Sequence, residues 1–417
     1  MGGAGRRHQP VSHSGQVAGF RSVFAEREFR WLWAAGVQSQ LGDQLARVAL
    51  SVLVFERTAS TLLTATVYAL TFLPAVLGGL LLGGLADRYP RRRVLIGCDV
   101  VRAVLLAAMA APGTPLLVVG ALVFLATLVG APFKAAEPAL IADIFRDHRY
   151  LPALGVRTAT YQASQLVGFA VGGVAVAAVG PRAVLAIDAV TFAVSAVVLR
   201  CCLRQRPAAR TPGPRAREPG SSEILGGLRV VVADRRLRLL LGLAWLAGLW
   251  VIPEGLAAPY AAELGAGPAG VGWLLAANPA GNVVGALLLS RWVPPALRAK
   301  WLGPLAVFAG LPLMLCAISP GLVLTVALWA VAGGCSAYQV QLIAEYMAAV
   351  PAARRGQAVG LASAGLLAAQ GIGLLAGGAL AQAWAVGPTI AVAGAAGTLL
   401  AFWLAIGRAR VGYPATV

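Results

Sequence analysis

The sequence predicts an all-α membrane protein with twelve transmembrane helices in two pseudo-symmetric six-helix bundles, and three observations support this class. The 417 residues are 59% hydrophobic and only 12% charged, whereas soluble domains carry about 25% charged residues. Apolar stretches of about twenty residues, the length that crosses a bilayer as a helix, recur along the chain. Lys and Arg are concentrated in alternate connections between these stretches, as basic cytoplasmic loops are.

The first bundle is predicted at 31–203, after a cytoplasmic tail at 1–30. Its helices are separated by polar residues or by Pro and Gly, which interrupt apolar stretches. Only the PGTP turn at 112–115 separates the third helix from the fourth. The six helices are predicted at 31–54, 63–85, 94–112, 115–142, 157–180 and 183–203.

The second bundle is predicted at 237–407, before a cytoplasmic tail at 408–417. The eleventh and twelfth helices are separated only by a short turn near Gly387 and Pro388. The six helices are predicted at 237–261, 270–293, 301–318, 321–347, 357–383 and 387–407.

The segment at 204–236 is predicted to be a cytoplasmic linker between the bundles. Its Pro- and Arg-rich composition buries too little apolar area to fold alone. The two halves also resemble each other at a constant offset of 205 residues, which indicates an internal duplication typical of secondary transporters. The offset aligns Gly155 with Gly360, Gln165 with Gln370, Gly168 with Gly373, Gly172 with Gly377 and Gly173 with Gly378.

The positions of the 34 Lys and Arg residues predict the orientation of the chain. Twenty-nine fall on the side shared by both termini, and Arg57 and Arg182 fall on the opposite side. The remaining Arg47, Arg102 and Lys134 lie inside predicted helices. Because basic loops stay in the cytoplasm, both termini are predicted to be cytoplasmic. The Arg-, Ala- and Gly-rich composition suggests a bacterial inner membrane.

Several classes of function are disfavoured by the composition and motifs. The net charge of +18 does not predict nucleic-acid binding, because the basic residues lie in loops without interleaved stacking aromatics. The five Cys form no C-x-x-C pair, and the three His lie outside the predicted helices. No metal site, cofactor or enzyme active site is expected, and no nucleotide-binding G-x-x-x-x-G-K-[ST] occurs. The first thirty residues contain no apolar segment of a cleavable signal, so we expect the first helix to direct insertion.

The sharpest motif is GGLADRYPRRRVL at 83–95, between the second and third helices. It resembles the G-x-L-A-D-R-x-G-R-R-x-x-L signature of the major facilitator superfamily, with Pro90 where that pattern has Gly. A degenerate copy, LSRW at 289–292, lacks the acid. FRWLW at 29–33, LGD at 41–43 and PAL at 138–140 resemble the macrolide, siderophore and multidrug exporter branch. The resemblance implies the major facilitator fold.

The resemblance also implies that the loop is a gate. Asp87 would cap the N-terminus of helix eleven near Gly356, and Arg91 would pair with Asp143 when the cytoplasmic side is closed. Both contacts would break on opening. The alternative is that the loop is only a basic membrane anchor, but an acid at this end of a helix opposes the helix dipole and needs a partner. The implied gating residues are Gly83, Asp87, Arg88, Arg91 and Asp143.

Charged residues inside predicted helices are the next candidates, because each costs about 2.5–3.5 kcal/mol at a helix centre on insertion scales. Three pairs are spaced to share a helical face, and simple neutralisation is the alternative to a functional role. Glu345, near a helix end, is expected to be solvated or part of a gate. The pairs are Asp43 with Arg47, Asp99 with Arg102, and Lys134 with Glu137.

Asp188 and Glu254 have no local basic partner, so with Asp43 they are the candidates for proton coupling. Glu254 is the favoured site because it lies between Pro253 and Gly255. Pro removes a backbone donor, and a broken helix would expose the carboxylate to a central cavity.

Polar and aromatic residues inside the helices are candidates for lining that cavity. The alternatives are membrane-interface anchoring for Trp and Tyr and interhelical hydrogen bonds for Gln and Asn. The cavity candidates are Arg47, Gln38, Tyr68, Tyr161, Gln165, Trp250, Asn278 and Asn282.

Together these features predict a secondary transporter that works as a monomer in the lipid bilayer and exchanges a small-molecule substrate for protons. The favoured function is export of amphipathic organic compounds such as drugs, antibiotics or siderophores. An importer or a lipid translocator on the same fold is the alternative.

Overall fold

The computed structural model describes residues 20–207, 228, 231–351 and 354–411, without the side chains of Phe20, Asp87, Pro295 and Ala296. Within this part the secondary structure is entirely helical. The first six long helices are α1 (Arg27–Thr58), α2 (Thr61–Leu82), α3 (Arg91–Ala110), α4 (Leu116–Ile144), α5 (Tyr150–Val179) and α6 (Pro181–Cys202).

Six further long helices follow in the described part of the second half. A short helix at Phe20–Phe24 precedes α1, and another at Leu85–Arg88 lies between α2 and α3. The second set is α7 (Arg235–Gly255, continued by Ala257–Glu263), α8 (Gly267–Trp292), α9 (Leu297–Ile318), α10 (Leu322–Ala349), α11 (Arg355–Ala383) and α12 (Val386–Val411).

Ten helices in the described residues are long and apolar enough to cross a membrane. The other two are α1, with 32 residues, and α3, with 20. Both have the length of a span, since a helix rises 1.5 Å per residue and the hydrocarbon core is about 30 Å thick. Their interiors carry charged residues, which lowers their apolar content.

Several helices begin or end away from the predicted positions. Helix α5 begins at Tyr150, not at 157, so Arg157 lies inside it and not at its start. Helix α1 begins at Arg27, inside the predicted tail, and α12 extends to Val411. These helices are longer than predicted because the polar residues at their ends, which were expected to lie in loops, are helical. The predicted linker at 204–236 lies largely outside the described residues, as do the tails at 1–19 and 412–417.

Helix α7 is interrupted around the predicted break. Its segments end at Trp245, Trp250 and Gly255, and Pro253, which lacks a backbone donor, starts the segment that holds Glu254. Helix α2 is likewise broken after Ala69. These two breaks face each other across the molecule and position the site described below.

The glycines that define the internal repeat make corresponding contacts in the two halves. An added Cβ on Gly168 or Gly172 would collide with α1, and one on Gly373 or Gly377 would collide with α7. One on Gly173 would lie 2.6 Å from the Cα of Gly272 in α8. One on Gly378 would lie 2.5 Å from the Cβ of Ala65 in α2. Small residues thus let equivalent helix pairs approach closely, both within each half and between the halves.

The two ends of the bundle differ in how the halves meet. We call the end with the loop 83–95 the basic end and the other the opposite end. At the opposite end, Gln382 Oε1 of α11 accepts hydrogen bonds from Ser60 Oγ (2.9 Å) and Thr61 Oγ1 (3.1 Å) of α2. At the basic end, a Cβ added to Gly155 or Gly356 would meet no atom within 4 Å. The halves are in contact at the opposite end, and Gly155 and Gly356 have open space beside them at the basic end.

Candidate functional site

The two helix breaks bring Tyr68 and Glu254 together inside the bundle. Tyr68 Oη donates to Glu254 Oε2 over 3.1 Å, a hydrogen bond between the two halves. Tyr68 is buried, whereas Glu254 is half-buried. The guanidinium of Arg47 lies 5.2 Å from the ring centroid of Phe72 and interacts electrostatically with both Tyr68 and Glu254. This cluster contains two of the predicted cavity residues and the favoured proton site.

A cavity of about 350 Å³ lies beside this cluster, within the first half. Arg47 and Tyr161 line it, as predicted for a cavity, and so do the proton-site candidates Asp43 and Asp188. Pockets of 300–1,000 Å³ are typical of small-molecule sites. Further polar lining comes from Ser39, Gln40, Gln44, Thr71, Arg102, Thr127, Lys134, Glu137 and Arg157.

The charges in this cavity pair between helices, not along one helix as the sequence spacing suggested. Asp43 of α1 forms an ion pair with Arg102 of α3. Glu137 of α4 pairs with Arg157 of α5 over 2.7 Å. Each pair neutralises two intramembrane charges and also connects two helices, which pairing within one helix would not achieve. The positions of these partners depend on tertiary packing, so sequence spacing did not reveal them.

Two further acids are fully buried against α6. Asp99 accepts a 2.6 Å hydrogen bond from Ser195 Oγ, and Asp188 accepts one of 3.0 Å from Thr191 Oγ1. Asp188 lies against the backbone of α1, because an added Cβ on Gly42 would be 1.9 Å from its Oδ1. Asp188 is therefore enclosed between helices, whereas Glu254 lies at the junction of the halves.

The other predicted cavity residues have different positions. Trp250 is buried in the second half, where its Nε1 donates to Tyr338 Oη over 3.4 Å; with Asn278 it lines a void of about 10 Å³ next to Glu254. Gln38 Nε2 donates to Thr191 O over 3.2 Å, so it holds α1 to α6 and lines neither of these cavities. Gln165 and Asn282 are half-buried and line neither cavity.

The basic-end loop makes one of the two contacts that the resemblance implies. Arg91 forms an ion pair with Asp143 and donates to Ala139 O over 2.9 Å. Both partners belong to α4, so the contact stays within the first half. Asp87 lies in the short helix Leu85–Arg88, but its side chain is outside the described part. Gly83 ends the second segment of α2, and Arg88 is exposed.

Sequence reasoning missed a buried ion pair in the second half. Arg408 of α12 binds Glu345 of α10 with two hydrogen bonds of 2.9 and 2.8 Å, and both side chains are 7% exposed. The expectation that Glu345 is solvated is therefore wrong, because α12 extends past its predicted end and brings Arg408 over it. Gln382 was also missed, since a single Gln carries no signal of a capping role.

The chemistry available here is proton binding, ion pairing and hydrogen bonding. Among the described residues, no group of His, Cys, Asp and Glu has the arrangement of a metal site. The half-buried carboxylate of Glu254 holds a hydrogen-bonded position from which a proton can be gained or lost. The cavity next to it offers both cations and apolar surface.

Comparisons with known proteins agree with this arrangement. Over 371 residues the chain is 30% identical to the multidrug efflux pump Tap of Mycobacterium tuberculosis, covering 84% of this chain and 86% of Tap. It is 27% identical over 185 residues to the uncharacterized MFS-type transporter YkuC of Bacillus subtilis, covering 43% of each chain. The chain thus aligns with less than half of YkuC but with most of Tap.

Solved structures with a similar backbone are also transporters. A POT family transporter in complex with a thioalcohol-conjugated peptide has a TM-score of 0.74 at 10% identity, covering 93% of this chain and 97% of that one. A bacterial homolog of the human lysosomal transporter Spinster, in an inward-facing and unoccupied conformation, has a TM-score of 0.64 at 16% identity, covering 92% and 95%. At these identities the likeness shows the fold alone.

The family follows from sequence as well as from backbone. The model of the Major Facilitator Superfamily matches residues 32–257, more than half of the chain, and the relative with broad coverage is a multidrug efflux pump. The described residues form an all-helical bundle with the backbone of this fold. The chain therefore belongs to the major facilitator superfamily, with resemblance to its multidrug exporters.

Proposed function

We propose that this protein is a secondary active transporter that exports amphipathic organic compounds, such as drugs, antibiotics or siderophores, in exchange for protons. The observation that carries the proposal is the hydrogen bond from Tyr68 to Glu254, which joins the halves beside a cavity of drug-like size. The similarity to Tap supports export as the direction.

The proposed topology has twelve membrane spans, with α1 and α3 added to the ten apolar helices. Their charges are compatible with a membrane because Asp43 pairs with Arg102 and Asp99 is hydrogen-bonded to Ser195. The positive-inside rule places the basic end and both termini in the cytoplasm of a bacterial inner membrane. The helices at 31–203 and 237–407 form the two moving halves, and 204–236 links them.

The different contacts at the two ends of the bundle support an alternating-access mechanism. The halves are in contact at the opposite end through Gln382 and through the Gly173–Gly272 approach, and open space lies beside Gly155 and Gly356 at the basic end. With the basic end in the cytoplasm, these features support an inward-open arrangement. Substrate would enter from the cytoplasm, and closing the basic end while opening the opposite end would release it outside.

Proton exchange would be coupled to this motion at Glu254. In the inward-open arrangement its carboxylate is held by Tyr68 of the other half. Separation of the halves at the opposite end would remove that hydrogen bond and change the carboxylate's tendency to hold a proton. Binding a proton on one side and losing it on the other supplies the drive for export.

The proposal is tested by drug susceptibility and by vesicle transport. A drug-sensitive bacterium that expresses the chain is expected to tolerate higher concentrations of several amphipathic compounds than one that expresses Glu254→Gln. Inside-out vesicles should accumulate a tested compound when a proton gradient is imposed, and right-side-out vesicles should not. Accumulation only in right-side-out vesicles would instead identify an importer, and no transport in either would refute the proposed function.

A further inference from the structure

The charges that line the 350 Å³ cavity are not balanced. Four are cations, Arg47, Arg102, Lys134 and Arg157, and three are acids, Asp43, Glu137 and Asp188. The Asp43–Arg102 and Glu137–Arg157 ion pairs account for two of each sign.

Neither the third acid nor Glu254, which attracts Arg47 from beside the cavity, compensates the remaining cations by direct contact. Asp188 is fully buried and accepts its hydrogen bond from Thr191. Among the described residues, neither Arg47 nor Lys134 has a carboxylate within the 4.0 Å of a salt bridge. Lys134 is exposed and lines the cavity, where it experiences repulsion from Arg47, Arg102 and Arg157 and attraction from Asp43.

Cations without a salt bridge are expensive within a membrane and usually mark a substrate or ion path. An anionic group that enters this cavity would relieve the repulsion around Lys134 and gain charge-assisted hydrogen bonds from both cations. A second observation also points to a ligand. Gln44 is buried, and neither its Oε1 nor that of Gln40 has a hydrogen-bond partner in the described part.

The rest of the lining defines the body of such a ligand. Leu106, Met109 and Phe133 supply apolar surface in the same cavity. A molecule with an apolar body and one anionic group would place the body against these side chains and the anion near the cations. The volume suits a small organic molecule and is too small for a phospholipid with two long acyl chains.

We propose that the substrate is an amphipathic organic acid or zwitterion whose carboxylate binds between Arg47 and Lys134. This rests on the proposed function as a small-molecule transporter and specifies its substrate class. A permanent cation without an acid is excluded from this position by the repulsion it would meet.

The test is a binding measurement on the purified full chain in detergent at pH 7. The probes are dansylglycine, its uncharged methyl ester, and the cation rhodamine 6G. Wild type is expected to bind dansylglycine at least about tenfold more tightly than the ester, equivalent to about 1.4 kcal/mol. Lys134→Gln should weaken dansylglycine binding about tenfold and leave the ester unchanged, whereas Lys134→Arg should retain the preference.

The chain offers a matched control, since Lys300 is its other lysine and lies on the exposed start of α9. Lys300→Gln should bind all probes as wild type does. Equal affinity for dansylglycine and its ester in wild type, or unchanged dansylglycine binding by a monodisperse Lys134→Gln, overturns the inference. Stronger competition by dihexanoyl phosphatidylglycerol than by unlabelled N-acyl glycine overturns it in favour of a lipid headgroup.

These outcomes are distinct from failure of the proposed function. Proton-driven export of cationic dyes without a carboxylate preference refutes only the substrate class. Selective carboxylate binding that depends on Lys134, together with no transport in vesicles of either orientation, refutes only the export function.

Discussion

Charged side chains in this protein are satisfied mainly by residues from other helices. Asp43, Glu137 and Glu345 each bind an arginine of a different helix. In a medium that solvates ions poorly, each such contact removes the cost of two charges and fixes the relative position of two helices. Replacing one partner therefore leaves an uncompensated charge. The resulting loss in the free energy of unfolding depends on how deeply the pair is buried.

The Glu345–Arg408 ion pair should contribute most to the stability of the fold, because both side chains are only 7% exposed. Glu345→Gln is expected to lower the free energy of unfolding by about 3–5 kcal/mol, the usual cost of leaving one buried partner. Thermal unfolding in detergent measures this. The double variant Glu345→Leu with Arg408→Met should recover much of the loss, since neither charge then remains buried.

The control for this prediction is Asp147→Asn in the exposed loop between α4 and α5. The backbone N–H and guanidinium of Arg149 bind Asp147, and these contacts hold the pKa of Asp147 below its usual value. Solvent screens such pairs, so little change in melting temperature is expected. An equal effect of Glu345→Gln and Asp147→Asn would contradict the assigned role of burial.

A second prediction concerns the role of Glu254 in transport. Glu254→Gln should reduce proton-driven transport by tenfold or more, about 1.4 kcal/mol in barrier, and abolish its pH dependence. Substrate binding should remain, because Gln still accepts the Tyr68 hydrogen bond. Tyr68→Phe should slow transport less and preserve pH dependence. Glu263→Gln is the matched control, because Glu263 is exposed at the end of the same helical stretch. Transport at the wild-type rate by Glu254→Gln would contradict the proposed role of Glu254 in proton coupling.

Helix ends and close helix crossings set the arrangement of the two halves. At the opposite end, Gln382 of α11 accepts hydrogen bonds from Ser60, Thr61 and the Leu62 backbone at the start of α2. The first amides of a helix lack internal partners, so a side chain from another helix stabilises this end. The contact must break before the opposite end can open.

Gln382→Ala is therefore expected to loosen the opposite end. Hydrogen–deuterium exchange should rise several-fold in the first turn of α2, because its amides lose a partner. Gln357→Ala, near the start of the same helix α11, should leave that turn unchanged. Equal exchange in wild type and Gln382→Ala would show that the Gly173–Gly272 approach alone holds this end closed.

The sequence predicted most of this element-scale organisation. Apolar length and Pro or Gly breaks identified the helical stretches, and the Pro253–Gly255 break coincides with the interruption of α7. Helix ends were less predictable. The residues before Arg157 were expected to form a loop, although α5 begins at Tyr150 and Arg157 lies inside it, bound to Glu137. Contacts between helices, such as Asp43–Arg102, depend on packing angles that local spacing does not encode.

At the scale of the whole molecule, the internal repeat supports the proposed alternating-access motion. Equivalent glycines bring α5 close to α1 and α8, and α11 close to α7 and α2. The two halves therefore meet through the α5–α8 and α2–α11 crossings. In the proposed cycle, rotation about these crossings would move the two ends in opposite senses.

A further prediction concerns the loop 83–95 and the proposed closure of the basic end. Asp87→Asn is expected to slow transport several-fold without abolishing substrate binding, because it would weaken closure of the basic end by removing a charge from the proposed cap on α11. Turnover in reconstituted vesicles and probe affinity in detergent measure the two properties. Asp147→Asn, at the same end, serves as the control. Wild-type turnover in Asp87→Asn would show that the loop acts only as a basic anchor.

The basic ends of the two halves are secured by ion pairs of very different depth. The Arg91 and Asp143 side chains are 19% and 29% exposed, whereas Arg408 and Glu345 are 7% exposed. Dissolved ions screen partly exposed charges far more than buried ones. Rising ionic strength at the basic end should therefore loosen the first half while the second stays intact, so that osmotic conditions would alter the proposed exporter through one half alone.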